Sequence, residues 1–270
     1  MRLEVIKELI ITQLDQQTES ILKQWSTHLG TSTNCFYIDN LLPVALVDEI
    51  YAAFPKEGNG FHKRKSFREQ KSTFAALANS SVILSDITKA FQLPEVVEKI
   101  SSLVGMKALE GDPTLYAGGL SMMFKNDFLN PHIDNSHDGN RKRYRRLNLL
   151  YYVTPEWTLD NGGNLELWDA KVTVPETIVA QFNRLVVMET NDKSWHSVSP
   201  VVTNRARCCV SNYYFSEISP NGLEYFHVTS FTGRPDETWK RTVGVVDNFL
   251  RNQVSKALKT GRGKGLINKE

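Results

Sequence analysis

The chain has 270 residues, 41% of them apolar and 10% aromatic, which is enough to bury a full core in one domain. Its 32 Lys and Arg against 30 Asp and Glu leave a net charge of +2, so no global field selects nucleic acid or an anionic membrane as a partner. Cys35, Cys208 and Cys209 give no disulfide framework, and the charged start Met1-Arg2-Leu3-Glu4 precedes no long apolar run; the expectation is a cytoplasmic, reducing setting without a membrane span.

In chain order, Leu3, Ile6, Leu9, Ile10, Leu14, Ile21, Leu22 and Trp25 recur at helical spacing and predict one or two amphipathic helices, ended by Gly30. The plainer reading of this stripe is packing on the outside of a sheet; a homodimer seam through the N-terminal helix is the alternative. Cys35 to Ile38 reads as a strand, and Asp39-Asn40 signals the start of a helix running through Val44 to Ile50. The polar stretch Lys56 to Thr73, with His62, Lys63, Arg64, Lys65 and Arg68, reads as a solvated loop, with a lid as the alternative. Ser80 to Leu103 is helical, with Pro94 suited to a first turn and Gly105 to a stop.

From Leu109 the period changes. Thr114–Ala117, Leu120–Phe124, Leu147–Val153, Leu165–Trp168, Val172–Val174, Leu185–Met188 and Ala206–Phe215 read as strands separated by Gly and Asn turns, and Phe226–Phe231 could add an edge strand. Such a succession predicts a mainly β sandwich, jelly roll or barrel with flanking helices. The expected organisation is one domain over 1–258, with a helical N-terminal region over 1–108, a β core over 109–232, a C-terminal helix over 236–258 and a flexible basic tail over 259–270.

His132 and Asp134, two apart on an extended strand, share a face and can reach one ion. With His196 they make two imidazoles and one carboxylate, a facial set that leaves octahedral positions open and suits non-heme Fe(II) working with dioxygen. His28, His62 and His137 have no partner at ligand spacing and read as surface residues; His227 reads as lining the core edge or standing behind a ligand. Arg205 and Arg207 share a face by alternation, and either guanidinium offers a fork for a carboxylate. The apolar company from Cys208 onward favours Arg207 as the buried one. Arg141, Lys142, Arg143 and Arg145 read as a solvated hairpin loop, with attraction of an acidic substrate as the alternative, and Arg146 begins a buried strand.

The ordered run His132-Ile133-Asp134, Arg146 to Tyr152, Trp157, Gly162-Gly163-Asn164-Leu165, Phe182 to Val187, His196, Arg207 and Tyr214-Phe215 resembles the prolyl-4-hydroxylase-like 2-oxoglutarate- and Fe(II)-dependent oxygenases. The resemblance spans roughly residues 109–216. It implies a double-stranded β-helix, the cupin-like jelly roll, with Fe(II) on His132, Asp134 and His196. It further implies 2-oxoglutarate as cosubstrate with dioxygen, Arg207 on its far carboxylate, Tyr152 assisting and Tyr116 as a weaker candidate for that role. The implied activity is hydroxylation of an unactivated C–H bond, in an amino-acid side chain of a peptide or protein or in a free amino acid. Desaturation, cyclisation or epoxidation of a small-molecule natural product with the same cofactors is a second reading, and a non-catalytic metal-binding jelly-roll module is a third. Asp134 is present where halogenases carry a small residue, so halogenation is disfavoured. The stretch from Tyr116 to His132 is longer than in compact members and Ser136–Arg145 is unusually basic, so substrate contacts there do not carry over.

Overall fold

In the computed structural model, which describes residues 2–27, 30–31, 33–56, 59–66, 68–74, 80–116, 118–237 and 241, the N-terminal helical period forms α1 (Arg2–Gln16) and α2 (Thr18–Ser26). Strand β1 (Cys35–Asp39) and helix α3 (Val44–Ala52) follow, then the hairpin β2 (His62–Lys65) and β3 (Glu69–Phe74), and helices α4 (Val82–Ala90) and α5 (Pro94–Val104). The β core comprises β4 (Gly119–Met123), β5 (Phe128–Ile133), β6 (Tyr144–Tyr152), β7 (Leu165–Trp168), β8 (Pro175–Ile178), β9 (Arg184–Glu189), β10 (His196–Val198), β11 (Arg207–Ser216) and β12 (Ser230–Phe231).

The strands form one antiparallel ladder in the order β1-β9-β6-β11-β4-β3-β5-β10-β7-β8, with β12 on β5 and β2 on β3. The ladder turns over on itself: β4, β6 and β11 from one half and β5, β7 and β10 from the other line a single cavity. That is a jelly roll with a closed mouth at the β3 side and two inner faces. Strand β6 shows why the sequence specifies it. Leu147, Leu149 and Tyr151 belong to the core beneath the helices, whereas Leu150 and Tyr152 pack in the inner core with Leu165, Leu167 and Cys209. A strand buried on both faces reads as a continuous apolar run, as Leu147 to Val153 nearly does.

The helices cover one outer face. Helix α1 packs on α4 and α5, and α2 on β1, where Trp25 meets Phe36 edge-on at 6.0 Å. The outside-of-sheet reading of the N-terminal stripe therefore holds for Ile6, Ile10, Leu14 and Ile21, all fully buried. Gly105 ends α5 in the left-handed region at φ +67, the C-cap conformation that a side chain disfavours.

Several expectations need correction. The polar stretch from Lys56 is not a loop: β3 inserts between β4 and β5 and carries β2 on its far side. Its charges hid the strand, because only Glu69 and Ser72 on β3 are buried. Thr114–Tyr116 is a turn, not a strand. The buried Asp112 carboxylate accepts from Thr114 N at 3.1 Å and Tyr116 N at 2.7 Å and so replaces strand pairing. Val172–Val174 is likewise a turn, since Asp169 accepts from the backbone of Thr173 and Val174, and β8 begins only at Pro175. Asp39 does not cap α3; it lies in β1 and pairs with Arg184 at 2.6 Å, and Pro43 is the N-cap. The edge strand expected over Phe226–Phe231 shortens to the two residues of β12. The C-terminal helix over 236–258, the basic tail and His28 lie outside the described residues, apart from Asp236, Glu237 and Arg241.

Candidate metal centre

His132 is the penultimate residue of β5, Asp134 follows the strand, and His196 opens β10, which pairs with β5 so that His196 lies opposite His132. One ligand atom from each of the three falls within 4.8 Å of the others. Both rings are buried, at 3% and 6% exposure, with centroids 4.0 Å apart. Each is held in the same way: His132 Nδ1–H donates to the Asn130 carbonyl and His196 Nδ1–H to the Ser194 carbonyl, both at 2.9 Å. A carbonyl only accepts, so Nδ1–H is the donor in both rings and each Nε2 is left to face the other two candidate ligands. Burial pushes the His196 imidazole down to about 4, so it is neutral at pH 7 and needs to lose no proton to bind a cation.

Asp134 is similarly fixed. Burial alone would raise its carboxyl, but the charge of Arg145 and the two imidazoles outweigh burial and hold it well below the usual carboxylate range. Its Oδ2 accepts from Asn148 Nδ2 at 2.7 Å and Arg145 at 3.2 Å, while Oδ1 lies 3.6 Å from His132 Nε2.

The cavity above this triad, about 70 Å³, is lined further by Lys71, Thr73, Leu150, Tyr152, Arg207 and Tyr213 among others. Arg207 is 5% exposed, whereas the Arg205 side chain is 38% exposed and pairs with Glu156, so Arg207 is the buried arginine of the two. Arg207 donates through one terminal nitrogen to the Gly163 carbonyl at 2.8 Å and stands over the Tyr152 ring at 5.3 Å. Among the described residues its Nε–H has no partner, nor does the Tyr152 hydroxyl, nor Asn148 Oδ1. Buried polar groups left unpaired cost free energy, and here they face one cavity.

Fe(II) and 2-oxoglutarate both fit this arrangement. Two imidazoles and one carboxylate are the donors of a facial non-heme site, and the orphaned Arg207 and Tyr152 donors answer a carboxylate at the far end. The Gly162-Gly163 turn serves the same end. A Cβ on Gly163, which has φ +65, would sit 3.2 Å from Arg207 Cδ and 3.0 Å from Val201 Cγ2. Gly163→Ala is therefore expected to displace the Arg207 stem and weaken cosubstrate binding about tenfold with metal binding unchanged, as measured by calorimetric titration.

Tyr116 is not among the residues lining this cavity; with Asn135, His137, Asp138 and Arg141 it lines a second, smaller one. His137, read as a surface residue, is buried at 7%, its ring tilted against Tyr144 at 4.3 Å. His227 bonds through its backbone to Ser136, and its ring stacks on Tyr225. The basic stretch is also not uniformly solvated. Asp138 gathers it into a tight turn by binding Lys142 N and Arg143, and Arg145 is buried at 2%. Arg145 and Asn148 were not foreseen at the metal site. Strand alternation could have found Asn148, two and four residues before the cavity residues Leu150 and Tyr152.

Comparison with known proteins agrees with this geometry. Residues 118–215 match the family model described as the 2OG-Fe(II) oxygenase superfamily, and the match contains all three candidate ligands and Arg207. The matched stretch covers the jelly-roll core from the residue before β4 through most of β11. A curated relative, Prolyl 3-hydroxylase OGFOD1 of Xenopus laevis, is 30% identical over 95 residues, 32% of this chain and 19% of that protein. The matched stretch thus spans about a fifth of that relative's length. In fold, the core resembles a Pseudomonas putida prolyl-4-hydroxylase, with TM-score 0.55 and 16% identity over 74% of this chain and 98% of that one. It also resembles a Trichoplax adhaerens prolyl hydroxylase in complex with a hypoxia inducible factor peptide, with TM-score 0.56 and 16% identity over 76% and 92% of the two chains. Among the described residues no helix is long and apolar enough to cross a membrane.

Proposed function

We propose that this protein is an Fe(II)- and 2-oxoglutarate-dependent dioxygenase that hydroxylates an unactivated C–H bond of an amino-acid side chain in a peptide or protein. The observation that carries this is the juxtaposition, in one cavity, of a preorganised His132-Asp134-His196 set with the unsatisfied donors of Arg207 and Tyr152. A module that only held metal would gain nothing from a buried guanidinium facing the cavity, and it would meet the cost of desolvating that charge.

Within this reading His132, Asp134 and His196 hold the metal, and Arg207, aided by the Tyr152 hydroxyl, pairs with the distal carboxylate of the cosubstrate. The bound metal and cosubstrate together supply the activation of dioxygen and the oxidation of the C–H bond. The chain contributes orientation: the Asn130 and Ser194 carbonyls keep both imidazoles turned inward, and the apolar wall of Leu150, Leu165 and Val198 keeps water from the reacting end. Because the relatives carry prolyl hydroxylase names, a prolyl residue in a peptide is the first substrate class to test. Three buried free cysteines favour a reducing, cytoplasmic setting.

Anaerobic addition of 2-oxoglutarate to the Fe(II)-loaded protein tests the reading. A weak visible charge-transfer band is expected, followed in air by succinate release that rises when prolyl peptides are added. Bound Fe(II) without such a band would overturn the assignment.

A further inference from the structure

Alternation along β6 carries an anomaly. Asn148, Leu150 and Tyr152, two apart, all face the cavity, and on a regular strand Arg145 would face the opposite way. It does not, because the pairing with β11 slips: Tyr214 opposes Leu147, but Phe215 opposes Arg145, so Arg146 is the extra residue of a β-bulge. The bulge turns Arg145 onto the side of Asn148, and both side chains converge on the same oxygen, Asp134 Oδ2, at 3.2 Å and 2.7 Å. Arg145 is further fixed by Asn135 Oδ1 at 3.1 Å and by the Tyr213 ring beneath its guanidinium at 4.1 Å.

A desolvated arginine–carboxylate pair is a poor source of stability, since the cost of removing both charges from water can exceed their attraction. Its placement suggests another use. A carboxylate can bind a cation through one oxygen or through both, and the two modes differ by one coordination position. An octahedral ion held by one atom from each of the three residues would keep three positions for a chelating cosubstrate and dioxygen, and a second oxygen from Asp134 would take one of them.

Resting on the function proposed above, we infer that Arg145 and Asn148 are positioning residues that engage Asp134 Oδ2 and leave Oδ1 as the single ligand atom, reserving a position for the cosubstrate. Neither residue touches the metal; both act through Asp134. The bulge at Arg146 is the backbone device that makes the arrangement possible.

The test uses the whole protein with Mn(II) as probe, in wild type, Arg145→Met, Arg145→Lys and Asn148→Leu. Infrared difference spectra on Mn(II) addition, with 13C-labelled aspartate, report the separation of the two carboxylate stretches, which is wide for one-oxygen binding and narrow for two. Wild type is expected to show the wide separation, with narrowing in Asn148→Leu and Arg145→Met. Their affinity for 2-oxoglutarate in the Mn(II)-loaded state is expected to fall at least about tenfold, while Mn(II) affinity itself changes less. Arg145→Lys, which keeps the charge but loses the fork, should lie between. A wide separation with unchanged cosubstrate affinity in folded Asn148→Leu and Arg145→Lys would overturn the inference, even if Arg145→Met fails to fold. Failure of the wild type to bind Mn(II) and 2-oxoglutarate would instead overturn the functional reading itself.

Discussion

Arg207→Ala is expected to weaken 2-oxoglutarate binding by about 100-fold to 4,000-fold, because truncating one partner of a buried charge pair costs about 3–5 kcal/mol. Arg207 is 5% exposed and, among the described residues, makes no ion pair, so the ligand carboxylate would be its first. The other cation of the cavity wall, Lys71 of β3, is already engaged: its amine is 3.7 Å from Glu69. Stability should move the other way. Without ligand the variant no longer buries an uncompensated cation, so its thermal midpoint is expected to equal or exceed that of wild type. Calorimetry on the Mn(II)-loaded proteins checks the first expectation and differential scanning the second. An unchanged dissociation constant would remove Arg207 from the site.

Asp134→Ala should lose metal binding by several orders of magnitude and, in addition, destabilise the metal-free protein by about 3 kcal/mol. The second effect follows from Arg145, which is 2% exposed and would be left buried without its carboxylate. His196→Ala is the comparison. It should lose metal equally, yet its imidazole is neutral at pH 7, so no charge is orphaned and the stability loss should be smaller. Urea denaturation of the two apoproteins distinguishes them, and Asp134→Ala combined with Arg145→Met should recover stability without recovering metal. Equal destabilisation by the two single variants would show that the Arg145 pair is not what couples the site to the fold.

The convergence of His132, Asp134 and His196 and the jelly roll were legible in the sequence because both rest on period-two alternation. His132 with Asp134, and Leu147 to Tyr152, keep their phase in the structure. What alternation could not show are the places where the phase breaks. The bulge at Arg146 reverses the facing of Arg145, and no residue type in Tyr144-Arg145-Arg146-Leu147 announces it. Side-chain-capped turns mislead in the opposite sense. Thr114, Val172 and Thr173 have strand propensity, but the Asp112 and Asp169 carboxylates take their neighbours' amides and bend the chain. The β2–β3 hairpin escaped for a third reason: its strands are held by the ladder and not by an apolar face, so their charges resemble a solvated loop.

Strand β12 has a consequence for the order of assembly. Ser230 and Phe231 pair with Ile133 and His132, and the Phe231 ring stacks on His132 at 5.2 Å, so the first ligand acquires its outer neighbour from a residue 99 positions later (231 − 132). During synthesis, therefore, His132, Asp134 and His196 are all added to the chain before the segment that pairs beside the first of them. Pairings of such sequence separation form late and slowly. The nascent chain can hold all three candidate ligands and still lack a finished site, so under the proposed function metal capture would follow the closing of β12 over β5.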